Sequence, residues 1–190
     1  MKKRPALILL AIFGLWPALA VASAQTNGIE DSNNCYDQFR GGDMKAAIDY
    51  CTKAINSGEL EEPDLVGALI NRGVAFRNLG EYKLAIVDYT TALKHAPKDA
   101  LIYANRANAR RELGEFKSAM ADANQAIKLD PARPASFYTR GAVYEADGKF
   151  ELARKDYMQA LTLEPANLDY QNKILTLDTK LSGAGQGGAR

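Results

Sequence analysis

A period of 34 residues is the feature that most constrains how this chain folds. Six columns of identical residues repeat at that step between residues 66 and 167. The columns are Arg72/Arg106/Arg140, Gly80/Gly114/Gly148, Ala85/Ala119/Ala153, Asp88/Asp122/Asp156, Ala92/Ala126/Ala160 and Pro97/Pro131/Pro165. A unit of this length cannot bury its apolar face alone, so neighbouring units must stack. The period predicts a solenoid with units at 66–99, 100–133 and 134–167.

Each unit has the pattern of two helices joined by a tight turn. Leu69, Gly73 and Phe76 recur at helical spacing, which predicts a first helix. Gly80 suits the left-handed residue that ends this helix, and Pro97 stops the second one. The apolar face of the second helix consists of Tyr82, Ala85, Tyr89 and Ala92. Each unit is therefore expected to be an antiparallel helix pair.

These residues resemble the tetratricopeptide repeat (TPR), in which small, aromatic and proline residues stand at the same offsets. Segments 71–73 with 88–89, and 139–141 with 156–157, are similar to a subtype common in bacteria. The sequence departs from the family pattern at the seventh residue of each unit, where Arg72, Arg106 and Arg140 replace leucine. In the middle unit, Ala107 also replaces the glycine and Ala123 replaces the aromatic residue. The resemblance implies an all-α fold, a right-handed solenoid of antiparallel helix pairs with a C-terminal capping helix.

Segments on both sides of the three repeats continue the pattern in weaker form. Residues 28–58 predict a degenerate unit, because Gly42, Ala47, Cys51 and Ala54 fall on the repeat columns at an offset of 38. Residues 59–65 are expected to form an acidic loop. After Asn167, a capping helix is predicted over 168–181, and the Gly-rich residues 182–190 predict a disordered tail.

The capping helix is expected to cover the open end of the last repeat. We expect four apolar residues to form its buried face: Leu168, Ile174, Leu175 and Leu181. Covering the end of a solenoid is the usual role of a terminal unit.

The first 24 residues have the three-part pattern of a secretory signal. Lys2, Lys3 and Arg4 precede an apolar run over 6–16, and a small-residue motif ends at Ala24. Cleavage after Ala24 predicts a periplasmic or secreted protein. The alternative is an uncleaved segment that anchors the chain in the inner membrane, facing the periplasm.

Cys35 and Cys51 fall on positions that face each other across the helix pair of the degenerate unit. An exported protein folds in an oxidising compartment, so we expect a structural disulfide. The alternative is a redox-active pair, but the spacing is not that of a Cys-x-x-Cys motif.

The repeated arginine and aspartate columns allow two interpretations. Antiparallel helices bring Arg72, Arg106 and Arg140 beside Asp88, Asp122 and Asp156, respectively. Charges that leave the solvent are normally paired, so three copies predict structural ion pairs rather than a catalytic centre.

Composition argues against several classes of function. The chain has one histidine, two cysteines and a net charge of +1. These values predict no metal site, no cofactor and no nucleic-acid partner. No phosphate-binding loop and no hydrolase motif is present in the sequence, so we do not expect an enzyme. Contact with a membrane is expected only through an uncleaved signal.

In the TPR family, the first helix of each unit lines a concave groove that binds extended peptides. Carried onto this chain, the groove positions are Ile70, Asn71, Val74, Arg77, Asn78, Leu101, Asn105, Asn108, Arg111, Glu112, Tyr138, Thr139, Ala142 and Glu145. The lysine of the chaperone-binding carboxylate clamp is missing, because Ile70, Ala104 and Tyr138 stand at its position.

The resemblance therefore implies a non-catalytic adaptor or scaffold that binds a protein or peptide segment in this groove. The alternative is a structural subunit or assembly factor of a larger envelope complex, which docks through its convex face or its ends.

Overall fold

The computed structural model describes residues 27–186, with side chains through residue 182. The predicted signal segment and the last four residues of the predicted tail lie outside this range. The described residues form nine helices, α1 (Gly28–Gly41), α2 (Met44–Ser57), α3 (Glu62–Asn78), α4 (Tyr82–His95), α5 (Ala100–Glu112), α6 (Phe116–Leu129), α7 (Pro134–Ala146), α8 (Phe150–Leu163) and α9 (Leu168–Gln186).

The turn inside each repeat depends on a glycine. Gly80, Gly114 and Gly148 have φ angles of 82°, 74° and 74°, a left-handed conformation that other residues adopt only at a cost. Glu81 then donates its backbone N–H to the carbonyl oxygen of Phe76, which closes the end of α3. Only three residues therefore separate the end of α3 from the start of α4, and the two helices are antiparallel.

The helices stack in a regular alternation. Each even-numbered helix packs against its own partner and against the next odd-numbered helix. The odd-numbered helices also contact one another, α1 with α3, α3 with α5 and α5 with α7. The odd-numbered helices therefore line the inner face of the stack. This arrangement confirms the predicted all-α solenoid of helix pairs.

One pair of facing positions sets the spacing between the two helices of each unit. A β-carbon added to Gly73 would lie 2.7 Å from Cε1 of Tyr89, and one added to Gly141 would lie 2.7 Å from Cε1 of Tyr157. The four units fill this position with Cys35–Cys51, Gly73–Tyr89, Ala107–Ala123 and Gly141–Tyr157. A large residue always faces a glycine, because close-packed interiors tolerate little change in total volume.

In the N-terminal unit this position holds a disulfide. Cys35 and Cys51 are bonded, with their Cα atoms 4.8 Å apart, and neither side chain is exposed. The bond joins α1 to α2 in the middle of both helices. The two cysteines therefore occupy the place that a glycine and a tyrosine occupy in the first full repeat.

The predicted acidic loop over 59–65 was too long. Helix α3 begins at Glu62, so only the stretch between Gly58 and Glu61 connects α2 to α3. Pro63 lies in the first turn of α3, where no backbone N–H is needed for a helical hydrogen bond. Glu62 and Asp64 also lie in this turn and interact favourably with the positive end of the helix dipole.

The predicted buried face of the last helix was wrong at two positions. Leu168 and Leu175 are 68% and 67% exposed, whereas Tyr170 and Leu177 are buried. Ile174 does pack against the core at this end of the solenoid. Tyr170 and Leu177 continue two buried columns of the repeats at the 34-residue step, Ala68/Ile102/Ser136 and Ala75/Ala109/Val143.

Helix α9 also extends further than predicted. Asn167 caps it by accepting hydrogen bonds from the backbone N–H groups of Asp169 and Tyr170. The helix then continues to Gln186, whereas the prediction ended it at residue 181 and made residues 182–190 disordered. Glycine weakens a helix without removing a backbone donor, so the glycines at 183 and 185 do not stop it as a proline would. None of the described helices is long and apolar enough to cross a membrane.

Candidate functional site

An open cavity of about 550 Å³ lies on the inner face of the solenoid, where α3, α5 and α7 approach α9. We call it the groove cavity. Its lining residues are Arg77, Asn108, Arg111, Tyr138, Ala142, Glu145, Ala146, Phe150, Lys173 and Lys180. Helix α9 thus contributes two side chains to a surface that the first helices of the repeats begin.

Arg77 and Arg111 occupy the same position in successive repeats. Both are half-buried, and the Nε atom of each is buried without a hydrogen-bond partner among the described residues. Arg111 pairs with Glu112 at 2.5 Å, whereas no described carboxylate lies within 4 Å of Arg77. Arg77 is therefore a cation on the inner face that no acid of the described chain neutralises.

The core under Arg77 contains Tyr89. Burial raises the pKa of Tyr89 to about 12, although the neighbouring Arg77 acts in the opposite direction. This tyrosine thus stays protonated at physiological pH, and it leaves the charge of Arg77 in place.

Glu145 occupies the same position in the third repeat and lies in a network of donors. Tyr157 donates its hydroxyl to Oε2 at 2.7 Å, Lys173 donates Nζ to the same oxygen at 3.0 Å, and Nζ of Lys180 lies 3.5 Å from Oε1. Burial raises the pKa of Glu145, but the bonds from Tyr157 and Lys173 outweigh it and the pKa is lowered overall. Glu145 is therefore ionised and well neutralised.

The groove cavity is positively charged as a whole. Four cationic side chains line it, Arg77, Arg111, Lys173 and Lys180, against the single carboxylate of Glu145. Guanidinium groups bind carboxylates through two parallel hydrogen bonds, and lysines act as mobile point charges. Tyr138 and Phe150 add aromatic surface next to these charges. The arrangement can bind an anionic ligand that also carries apolar groups.

The three predicted structural ion pairs are present between the helices of each repeat. Arg72 donates Nη2 to Oδ1 of Asp88 at 2.7 Å and Nε to Oδ2 at 2.8 Å, and the pairs Arg106–Asp122 and Arg140–Asp156 repeat this geometry. The three aspartates are buried, so these charges are part of the core rather than of the groove.

Each arginine of these pairs also reaches the preceding unit. The Nη1 atoms of Arg72, Arg106 and Arg140 donate to side-chain oxygens of the previous even-numbered helix, on Thr52, Thr90 and Asn124, respectively. The ion pairs therefore connect neighbouring units, and we call the whole series the arginine ladder.

The structure brings together six of the predicted groove residues, Arg77, Asn108, Arg111, Tyr138, Ala142 and Glu145. Asn108 donates its amide to Oγ1 of Thr139 at 3.3 Å, which orients it across α5 and α7.

Other predicted groove residues lie elsewhere. Asn71 lines a separate cavity of about 220 Å³ beside α1. Asn78 is exposed, and its side-chain amide donates a hydrogen bond to Sδ of Met44. Ile70 and Val74 pack against the core, and Asn105 is half-buried. The groove is thus less continuous at its N-terminal end than the family pattern implied.

Sequence reasoning missed the residues of α9 that line the inner face. Lys173 and Lys180 stand at the 34-residue step from Thr139 and Ala146, so they hold groove positions of a further unit. Asp169, Asn172, Lys173 and Thr176 also line a second cavity, of about 270 Å³, together with Tyr138. Extending the period past Pro165 is the signal that identifies these residues.

Comparison with protein families agrees with this geometry. Sequence profiles described as tetratricopeptide repeat match residues 66–99 and 134–167, and one described as TPR repeat matches residues 107–148. No curated protein matches the chain significantly.

Several solved structures are similar. The first TPR of Spaghetti (RPAP3), bound to the HSP90 peptide SRMEEVD, is 32% identical with a TM-score of 0.57, over 62% of this chain and 93% of that one. The second TPR domain of human RPAP3, in complex with the HSP70 peptide SGPTIEEVD, is 30% identical with a TM-score of 0.56, over 62% and 98%. A tetratricopeptide repeat protein from Parabacteroides merdae is 25% identical with a TM-score of 0.66, over 82% and 60%. The period, the helix pairs and these likenesses show that the chain belongs to the tetratricopeptide repeat family.

Proposed function

We propose that this protein is a non-catalytic, exported adaptor that binds a segment of a partner protein in its concave groove. The observation that carries the proposal is the groove cavity, which presents charged, amide and aromatic side chains from five helices. Peptide-bound relatives that are about 30% identical support a role in protein interaction.

The proposed mechanism is the presentation of side chains by a rigid surface. The arginine ladder ties each repeat to the one before it, so the first helices of the repeats keep a fixed spacing. Preorganised groups lose little conformational entropy on binding, which favours affinity without a large conformational change. Asn108 is suited to hold a peptide backbone, because an amide side chain both donates and accepts.

The proposed compartment is the periplasm or the exterior of the cell, with the first 24 residues removed. The buried disulfide between Cys35 and Cys51 supports export, because such bonds persist in oxidising compartments. Intact mass of the chain recovered from soluble and membrane fractions tests this part. A mass equal to residues 25–190 is expected in the soluble fraction, and a full-length mass in the membrane fraction would favour the anchored form.

The chaperone peptides of the relatives are not proposed as the partner. Ile70, Ala104 and Tyr138 stand at the position where the chaperone-binding carboxylate clamp of the family pattern has a lysine. The cations of the groove cavity come from other positions, including α9. The partner segment is therefore expected to differ in sequence from the chaperone tails.

A pull-down from envelope extract tests the groove directly. Residues 25–190 serve as bait beside the triple variant Arg77→Ala, Asn108→Ala, Arg111→Ala, and a matched Arg133→Ala variant controls for loss of an arginine outside the groove cavity. A partner that binds the wild type and the control, but not the folded triple variant, is the expected result. A partner that binds all three proteins equally would contradict the use of the groove.

The convex side supports the second candidate, a structural subunit of an envelope complex. A cavity of about 770 Å³ lies on that side, and Phe116, Met120, Tyr144 and Leu152 contribute apolar surface to it. Leu84 and Val87 are exposed on α4. Under this alternative, Met120→Lys and Leu152→Lys abolish association and the groove variants leave it intact.

A further inference from the structure

We infer that the groove cavity recognises an acidic peptide segment and that α9 forms one wall of this site. The inference rests on the proposed use of the groove and specifies the chemistry of the ligand. Charge, the positions of Arg77 and Arg111 and the position of α9 each contribute to it.

The charges of the cavity are not balanced within the described chain. Glu145 already receives bonds from Tyr157 and Lys173 and lies beside Lys180, and Glu112, which is not among the lining residues, pairs with Arg111. Arg77 has no described carboxylate within 4 Å. By contrast, each arginine of the ladder holds an aspartate through two hydrogen bonds. The surplus positive charge of the cavity therefore comes from Arg77, Lys173 and Lys180 rather than from the ladder.

The position of the two arginines suits a peptide that crosses the helices. Arg77 lies on α3 and Arg111 lies one repeat further along on α5, and both half-buried side chains line the cavity. A guanidinium group binds the two oxygens of a carboxylate in a planar arrangement. Asn108 lies on the same cavity wall and suits the backbone between two acidic residues. Tyr138 and Phe150 suit an apolar side chain nearby.

Helix α9 extends the positive surface beyond the third repeat. Glu145 holds the ammonium groups of Lys173 and Lys180 at the edge of the cavity. A ligand carboxylate that enters here meets two cations and one anion. Lys173 also lines the second cavity with Tyr138, so the surface continues along α9. The last helix is thus a binding element as well as a cap.

Panning a library of random peptides against residues 25–190 tests the inference first. Enrichment of peptides rich in aspartate and glutamate, reversed by high salt because screening weakens charge interactions, is the expected result. Enrichment of peptides without acidic residues, lost with Asn108→Ala, would overturn the acidic specificity while the groove function stands. No enrichment would overturn both.

Fluorescence anisotropy with the enriched acidic peptide then identifies the residues involved. Arg77→Gln and the pair Lys173→Gln with Lys180→Gln are each expected to weaken binding by about tenfold, since loss of one charge-assisted contact has roughly this effect. Arg133→Gln, which removes an arginine that pairs with Asp130 outside the cavity, is the matched control and should bind as the wild type does. Equal binding by the α9 variant and the wild type would overturn the role of α9.

Glu145→Gln gives a change of opposite sign. It removes the one carboxylate that lines the cavity and frees two lysines, so acidic peptides should bind several-fold more tightly. A merely structural role for Glu145 would weaken binding instead. Replacing the acidic residues of the peptide by amides should abolish binding, and amidation of its C-terminus distinguishes side-chain carboxylates from a terminal one. Unchanged affinity of the peptide without acidic side chains and without a free C-terminus would overturn the inference.

Discussion

The N-terminal unit and the three full repeats join their two helices by different interactions. In the full repeats, an arginine and a buried aspartate join the two helices of each pair. In the N-terminal unit, Asn34 and Tyr50 stand at these two positions, and a disulfide joins the helices instead. In the first unit of the described chain, a covalent bond thus joins the two helices where the full repeats use an ion pair.

The comparison shows which interaction each region depends on. The first described unit packs against one neighbour, the first full repeat, and α1 is polar, with Gly28, Asp31 and Cys35 as its buried residues. The full repeats gain from two interfaces and from the ladder that crosses them. Arg72 reaches Thr52 on α2, so the ladder also holds the N-terminal unit to the first repeat.

The largest expected effect is the loss of an arginine of the ladder. Arg72→Ala leaves the buried Asp88 without its arginine and should lower the free energy of unfolding by about 3 kcal/mol. Arg106→Ala should have a smaller effect, because Arg110 also donates to Asp122, at 2.7 Å. Urea unfolding of the two variants measures the difference. Equal effects, or none, would contradict the role of the ladder.

The disulfide should matter next, and only locally. Replacing Cys35 and Cys51 by alanine removes a cross-link over a loop of this size, which typically contributes about 3 kcal/mol, and it leaves small apolar residues in place. Hydrogen exchange should show fast opening of α1 and α2, while α5 to α8 keep their protection, since stability in solenoids is local. Loss of protection throughout the chain would show that the disulfide supports the whole stack.

Two glycines in the middle of helices should respond in opposite ways to alanine. Gly141→Ala places a β-carbon 2.7 Å from Tyr157 and should destabilise the third repeat by about 1–3 kcal/mol. Gly67→Ala meets nothing within 4 Å and should stabilise α3 by about 0.5–1 kcal/mol through helix propensity. Thermal unfolding compares them. Similar melting temperatures for the two variants would contradict the close approach at Tyr157.

The smallest effect at neutral pH concerns the tyrosine that faces Gly73. The pKa of Tyr89 is raised to about 12 by burial, so the folded state keeps a proton that the unfolded state loses near pH 10. This contribution to stability is complete below pH 10 and disappears as the pH rises toward 12. Stability should therefore fall over this range in the wild type, and fall less steeply in Tyr89→Phe. Identical pH profiles would show that Tyr89 does not titrate with unfolding.

Most of the fold could be predicted from the sequence because the same packing, turn and charge requirements recur in each 34-residue unit. The small residues at Gly73, Ala85 and Ala92 and at their equivalents, the glycines at the turns and the paired charges all follow from helix packing that recurs every 34 residues. The face of α9 was predicted incorrectly because its apolar residues were judged by hydrophobicity alone. Leu168 and Leu175 are apolar but exposed, whereas Tyr170 and Leu177 continue the buried columns.

The groove was predicted in part for a related reason. Arg77, Arg111 and Glu145 were found from the family positions, but their partners depend on how the end of the solenoid closes. Lys173 and Lys180 lie on α9, which was predicted only to cover the end of the solenoid, so the positive charge of the groove cavity was underestimated. The length of α3 was missed because Pro63 was read as part of a loop, although the first turn of a helix accommodates proline.

Hydrogen exchange with and without a bound partner segment shows which face of the solenoid binds. Binding in the groove should slow exchange in α3, α5, α7 and α9, whose side chains line the inner face, and leave the exposed side of α4 and α6 unchanged. Slower exchange confined to α4, α6 and α8 would place the partner on the convex side and contradict binding in the groove.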